Sequence, residues 1–312
     1  MSPLHGKVVL VTGAARGIGA ESALRLAARG ARLSLVGLEP DELASVAERC
    51  GPDAAWFEAD ITDRAAIEAA VAGTVERFGG LDILVANAGT ASYGTVRTID
   101  PDAFERTIEI NLLGSWRTVR AALPHLVERR GYALVVASVA AAAHAPGVAA
   151  YCASKAGVEA FANSLRPEVA HLGVDVGVAY FSWIATDLVA AGDEHPAFVF
   201  FRSKLRGPAG RTYPLSDAAD AMVEGIESRA RRVVAPGWVR ALLFSRGFIA
   251  RTLERDARSW APELVRIAEQ EVERRGAREA SVPEARHIRE ALGAEGEATD
   301  ARSRSGTSGR AA

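Results

Sequence analysis

The stretch that decides the fold is Val8-Val9-Leu10-Val11-Thr12-Gly13-Ala14-Ala15-Arg16-Gly17-Ile18-Gly19, near the start of a chain of 312 residues. Its unbroken apolar run predicts a strand buried on both faces, and the pattern from about Ala20 to Arg29 predicts a helix. Glycines join the two. Their missing Cβ atoms let the backbone turn tightly and let a pyrophosphate approach the helix N-terminus, where free N–H groups and the helix dipole favour negative charge. A glycine-rich loop alone signals only a turn. Placed between a first strand and a first helix, it predicts a dinucleotide site, although the Gly-x-x-x-Gly-x-Gly spacing departs from the common G-x-G-x-x-G fingerprint.

Outward from this turn, short apolar runs alternate with helical patterns. Strands are predicted at Ala31–Val36, Ala54–Glu58, Leu81–Ala86, Ala133–Ser138, Val174–Tyr180 and Arg232–Ala235. Helices are predicted at Asp41–Arg49, 63–78, 101–130, 150–172, Ser216–Ala230 (with Ser216 as N-cap) and Trp238–Gln270. Strand–helix alternation with continuous apolar strands implies an α/β fold: a Rossmann-type doubly wound parallel sheet flanked by helices. The expected organisation is a single domain over 1–250 with a substrate loop at 189–212, then a helical C-terminal extension over 251–276. The tail 277–312 lacks apolar periodicity and is expected to be disordered.

Composition narrows the function classes. A hydrophobic fraction of 49% excludes a disordered chain, and a net charge of −2 gives no basis for bulk nucleic-acid binding. No window holds the ~18 uncharged apolar residues of a membrane span. Cys50 and Cys152 cannot make a disulfide framework, and the N-terminus lacks a signal-peptide core, so a cytoplasmic location is expected. Histidine and cysteine show no metal-ligand spacing, and no metal is expected. Of the 37 basic residues only Lys7, Lys155 and Lys204 are lysine.

Tyr151 and Lys155 are four apart on a predicted helix and so share one face. Their ordinary pKa values, about 10 and about 10.4, suit neither to proton transfer at neutral pH. A nearby ammonium would favour tyrosinate and bring the tyrosine toward the working range. Ser138 lies thirteen residues before Tyr151. Cys152, beside it, reads as a packed core thiol.

Thr12-Gly13-x-x-x-Gly17-x-Gly19, Asp60-Ile61, Asn87-Ala88-Gly89, Asn111, Ser138 and Tyr151-x-x-x-Lys155 stand in the order seen in the short-chain dehydrogenase/reductase family, which the chain resembles over residues 6 to about 240. The resemblance implies a catalytic tetrad of Asn111, Ser138, Tyr151 and Lys155. Tyr151 would be the acid/base, Lys155 its activator and a ribose ligand, Ser138 the anchor of the substrate oxygen and Asn111 the support of a water relay. Cofactor contacts would come from Thr12, Gly13, Arg16, Gly17, Ile18, Gly19, Glu39, Asp60, Ile61, Asn87, Ala88, Gly89, Tyr151, Lys155, Ile184 and Thr186. The implied activity is NAD(P)-dependent interconversion of a small-molecule secondary alcohol and ketone by a homodimer or homotetramer. An epimerase or dehydratase that retains its dinucleotide, and a non-enzymatic dinucleotide sensor, stay open as alternatives.

Glu39 favours NAD, because an acid there binds the ribose diol and repels a 2′-phosphate, whereas Arg16 could reach such a phosphate; NAD is the expected cofactor over NADP. Phe181-Ser182 replaces the family's Pro-Gly, which puts the loop beside the nicotinamide in doubt. Phe181, Trp183 and His144 are candidates for the substrate pocket, and with Phe198, Phe200 and Phe201 they suggest a lipophilic substrate. The basic, apolar segment 229–260 is expected to pack on its own subunit, with subunit contact and peripheral membrane contact as the other readings.

Overall fold

Along β1 (Val8–Thr12), Val8 and Leu10 enter one apolar cluster while Val9 and Val11 enter another. Both faces are covered, as the unbroken apolar run requires. A computed structural model describes this strand and the rest of the chain over residues 2–282. After β1 come α1 (Gly17–Ala28), β2 (Arg32–Gly37), α2 (Pro40–Cys50), β3 (Ala54–Glu58), α3 (Arg64–Phe78) and β4 (Ile83–Ala86). Then follow α4 (Pro101–Ile108), a π-helical segment (Glu109–Gly114), α5 (Ser115–Arg129), β5 (Tyr132–Val136), α6 (Ala149–Ala170) and β6 (Asp175–Phe181). The last elements are α7 (Asp187–Gly192), α8 (Pro196–Lys204), α9 (Leu215–Glu227), β7 (Arg232–Ala235), α10 (Val239–Arg275) and α11 (Ala277–Ser281).

The strands form one parallel sheet in the order β3-β2-β1-β4-β5-β6-β7. Helices α3, α5 and α6 cover one face through residues such as Ile67, Leu126 and Val158, and α1, α2 and α9 cover the other through Leu26, Leu43 and Met222. Strand order reverses direction at β1, between β2 and β4. That switch point opens a crevice beyond the carboxyl ends of the strands, the place where open α/β sheets bind ligands.

Four local expectations are corrected. The predicted helix over 101–130 is two helices separated by the π-helical segment that carries Asn111. Pro214, not Ser216, occupies the N-cap of α9. Helix α10 runs unbroken through residue 250, so no structural break separates a domain from an extension there. Residues 277–281, expected in the disordered tail, form α11: Ser281 accepts hydrogen bonds from Tyr93 N (3.0 Å) and Asp100 N (2.8 Å), and Ala280 O pairs with His195 Nε2 (2.9 Å). Backbone groups of small residues hold this helix, so apolar periodicity could not reveal it. Residues 283–312 lie outside the described residues.

The segment 229–260 packs on its own subunit only in part. Trp238, Val239, Leu242 and Leu243 join the core, whereas Phe244 and Phe248 are 95% and 73% exposed. One polar clasp ties α10 to the sheet: buried Glu159 of α6 accepts from Tyr180 Oη and Arg246 Nη1, both at 2.9 Å. Tyr180→Phe removes a donor from a buried carboxylate and is expected to destabilise the fold by about 1–3 kcal/mol, read from the midpoint of denaturant unfolding.

Candidate active site

The glycine turn is fixed by its neighbours. Thr12 Oγ1 accepts from Asn87 N (3.1 Å) and Ala88 N (3.2 Å), and Asn87 Nδ2 donates to Thr12 O (3.0 Å) and Gly13 O (3.2 Å). The ends of β1 and β4 are thereby locked together. Gly13 and Gly17 have φ of 64° and 56°, a region that favours glycine. A Cβ on Gly13 would lie 2.8 Å from Ala88 Cα, and one on Gly19 would collide with the Gly13 carbonyl oxygen. The N-terminus of α1 has no side-chain cap. An uncapped helix start behind a cradle that side chains would fill is what a pyrophosphate needs, so a dinucleotide fits these residues.

The cleft at this turn is lined by Gly13, Arg16, Gly17, Ile18, Glu39, Asp60, Ile61, Asn87, Ala88, Gly89, Ile184 and Thr186 together with Ser138, Tyr151 and Lys155. Thr12 and Gly19, expected among the cofactor contacts, do not line it: Thr12 acts as the lock just described, and Gly19 allows the close approach of α1. Asp60 does not cap α3, whose N-cap is Asp63. Burial raises the Asp60 carboxyl, but hydrogen bonds from Thr62 and the Arg106 guanidinium at 2.9 Å outweigh it and hold the group below its ordinary range. Arg106 and Asp187 also line the cleft and were missed by sequence reasoning, because each depends on a distant partner. Around Arg16, Nη2 lies 3.2 Å from Glu39 Oε1 and 3.4 Å from Glu42 Oε1, and Nη1 lies 4.0 Å from Asp187 Oδ2.

At the cleft floor, α6 carries Tyr151 and Lys155 on one face. Buried Lys155 donates from Nζ to Val136 O at 2.9 Å, and burial lowers its pKa to about 8. The Nζ atom occupies space left by Gly89, where a Cβ would stand 3.3 Å from it and 3.1 Å from Asn111 Oδ1. Tyr151 corrects an expectation. Burial pushes its hydroxyl above the ordinary value, a hydrogen bond with Ser138 pulls the other way and Cys152 adds to the rise; desolvation, not the ammonium, dominates. Lys155 Nζ lies 5.8 Å from the Tyr151 ring centroid. Ser138 sits just past β5, where its hydroxyl also accepts from Ala140 N (3.2 Å) and donates to Phe181 O (3.3 Å).

Asn111 is fully buried and does not line the cleft. Its Oδ1 accepts from Thr90 N (2.8 Å), and its Nδ2 donates to Thr90 O and Ser154 Oγ (both 2.9 Å). These bonds make its side chain a clamp between the segment after β4 and α6.

Beside Tyr151 and Ser138 lies a small apolar chamber walled by Tyr93, Val148, Cys152, Trp183, Leu188 and Phe198. Tyr93 was missed; its ring stands 4.9 Å from that of Phe198, a pairing that no local spacing encodes. Cys152 is a buried thiol that burial pushes up, and it packs in the chamber wall. Phe181 lines the cofactor cleft and not the chamber; His144 lines neither but faces a wider channel outside. The Phe181-Ser182 replacement leaves the strand end intact, since Ser182 needs no positive φ and its N–H donates to Ala235 O at 3.0 Å. The Ser182 hydroxyl is buried without a hydrogen-bond partner.

Comparison with known proteins agrees with this geometry. The short chain dehydrogenase family model matches residues 7–197. Trans-4-hydroxycyclohexanecarboxylate dehydrogenase of Sinomonas cyclohexanicum is 36% identical over 193 residues, covering 59% of this chain and 74% of that protein. The 3-oxoacyl-acyl-carrier-protein reductase FabG of Escherichia coli is 32% identical over 220 residues, covering 70% and 88%. A crystal structure of a short-chain dehydrogenase/reductase from Burkholderia phymatum in complex with NAD superposes with a TM-score of 0.69 over 79% of this chain and 93% of that one, at 22% identity, a likeness of fold. The chain belongs to the short-chain dehydrogenase family and, like the dehydrogenases and reductases it matches, is an oxidoreductase of CH–OH groups that uses NAD or NADP.

Two outcomes follow from the site's packing. Gly19→Ala is expected to destabilise the fold by about 1–3 kcal/mol through overpacking and to weaken nucleotide binding, read by thermal melts with and without NAD. Lys155 titrates at 10.5 ordinarily and at about 8 when folded, so in that window the unfolded chain holds more protons and folding stability rises with pH. Wild type minus Lys155→Met, measured by urea unfolding at pH 8 and pH 10, isolates this gain, expected on the order of 2 kcal/mol.

Proposed function

We propose that the protein is an NAD-preferring dehydrogenase that interconverts a lipophilic secondary alcohol and its ketone, with Tyr151 as the acid/base. The observation that carries the reading is the meeting of the Tyr151 and Ser138 hydroxyls in an apolar chamber that opens on the dinucleotide cleft. The cofactor would be held by the glycine turn, by Glu39, Asp60 and Ile61, by Asn87–Gly89, and by Lys155, Ile184 and Thr186; when bound, it supplies or accepts the hydride. Ser138 hydrogen-bonds the substrate oxygen and orients it toward Tyr151. Tyr151 then gives its proton to the developing alkoxide in reduction, or takes the alcohol proton in oxidation. Lys155, mostly protonated at neutral pH, favours the anionic form of Tyr151 as the reaction demands it. Asn111 is a positioning residue: it clamps Thr90 to α6 and so sets the depth at which Lys155 stands.

Two features refine this reading. Burial holds Tyr151 in its neutral form, so the resting enzyme is a proton donor ready for ketone reduction, and alcohol oxidation should accelerate as pH rises. Glu39, Glu42 and Asp187 surround the Arg16 guanidinium, so that its charge is already balanced and a 2′-phosphate meets a net acidic rim.

The test is a screen of ketones and secondary alcohols with NADH, NADPH and their oxidised forms. Turnover with an NAD preference is expected, and Tyr151→Phe should lower kcat by about 10²–10⁴-fold while NAD still binds. Absence of turnover with every pair despite nucleotide binding overturns the reading. Glu39→Ala with Glu42→Ala should narrow the preference between the two nucleotides.

A further inference from the structure

Volume separates the place of reaction from the place of recognition. The chamber at Tyr151 and Ser138 encloses about 90 Å³, room for a carbonyl and its immediate substituents but below the ~300–1,000 Å³ of ligand pockets. Beyond it lies a channel of about 680 Å³ between α8 and the first half of α10. The two share walls: Val139, Ala143, Ala145, Ser182, Trp183 and Phe201 border both. A substrate seated at Tyr151 therefore has one wide neighbouring space for whatever does not fit the chamber. The channel's α10 side presents Leu242, Ile249 and Leu253, with Ser245 and Thr252 between them, and Trp238 and Trp260 flank this side along the helix. Asp256 on this side and His144, Lys204 and Arg206 across from it are the channel's titratable groups; the rest of the wall is mostly apolar over several helical turns, a length that suits an extended hydrocarbon.

We propose that this channel is the binding site for an aliphatic tail, so that the substrate is a long-chain secondary alcohol or ketone with its oxidisable carbon at the Tyr151 end. The proposal rests on the assignment of Tyr151 as acid/base and adds the substrate's shape. The tail leaves the chamber past Ser182, whose unpartnered buried hydroxyl is the polar atom at the junction. Trp183, in the wall common to chamber and channel, is held in place by its indole N–H, which donates to Ala209 O at 2.8 Å, and by edge contacts with Phe198 and Phe201. Desolvation of the tail would be read mainly in KM, because the same burial is present in ground and transition states.

The test uses the full chain with a series of 2-alkanones from butanone to decanone and NADH. Catalytic efficiency should climb by up to about fourfold per added methylene (about 0.8 kcal/mol each) through falling KM, until the channel is filled. Ser245→Trp and Thr252→Trp, both on the channel wall near the surface, should each lower the ratio of decanone to butanone efficiency by about tenfold or more, as expected if two or more methylenes lose their site. A flat chain-length profile with butanone turned over overturns the proposal and leaves the dehydrogenase reading standing. So do tryptophan variants that reduce all lengths alike. If no alkanone is turned over with either nucleotide, calorimetric titration decides: decanone binding tighter than butanone, and lost in Ser245→Trp, supports the channel, and equal or absent binding overturns it.

Discussion

A buried ammonium is the constraint around which the site is built. Desolvating Lys155 is costly, and its lowered pKa is the mark of that cost. The chain offsets part of it with the Val136 carbonyl at the end of β5 and makes room for Nζ by placing Gly89 where any side chain would intrude. Those two groups come from neighbouring strands whose register, Ala86 opposite Val135, brings their ends level. Asn111 joins from the π-helical segment and ties the Gly89 segment to α6. Arginine, scarce nowhere else in this chain, is too large and planar for such a space, which accounts for one of the three lysines. Lys7, by contrast, is an exposed partner of Asp82, a place where either cation serves.

Much of this was legible in the sequence because it is local. The glycine turn, the Tyr151–Lys155 spacing and the continuous burial of β1 each follow from the geometry of one element. What stayed hidden was set by long-range contacts. Arg16 could be read as a phosphate ligand until Glu42 and Asp187 were placed beside it, and the ion pair that Arg106 of α4 makes with Asp60 had no local signal. The Phe181-Ser182 replacement signalled a distorted loop only on the premise that the position needs glycine's freedom. Here it does not, since Ser182 continues the ladder with β7.

The two central titrations share a cause and act in opposite senses. Burial raises the acid Tyr151 and lowers the base Lys155, so each shift favours the neutral form, while at about 8 the lysine still carries its charge at neutral pH. Such a site is pre-set for the protonated tyrosine. In the proposed reaction the negative charge develops only during turnover, as an alkoxide beside Ser138. Stabilisation that appears only when charge develops is the kind that lowers a barrier instead of merely tightening binding.

The division of labour along the chain follows from where the family likeness ends. The matched segment, 7–197, contains the glycine turn, Ser138, Tyr151 and Lys155, and hence the chemistry. The chamber walls come mostly from the same segment, joined by Phe198 and Phe201 on α8, whereas most of the wider channel comes from beyond it, along Trp238 to Trp260, with Leu264 and Ala268 packed beside the chamber. Even α11 contributes, because Ala280 holds His195 at the start of α8 and Ser281 holds Tyr93 in the chamber wall. A residue in this outer shell can change without disturbing the proton and hydride path, provided the chamber keeps its enclosure. On the proposed reading, the C-terminal helices shape the outer channel, while the proton path runs through Ser138 just past β5 and Tyr151 and Lys155 on α6.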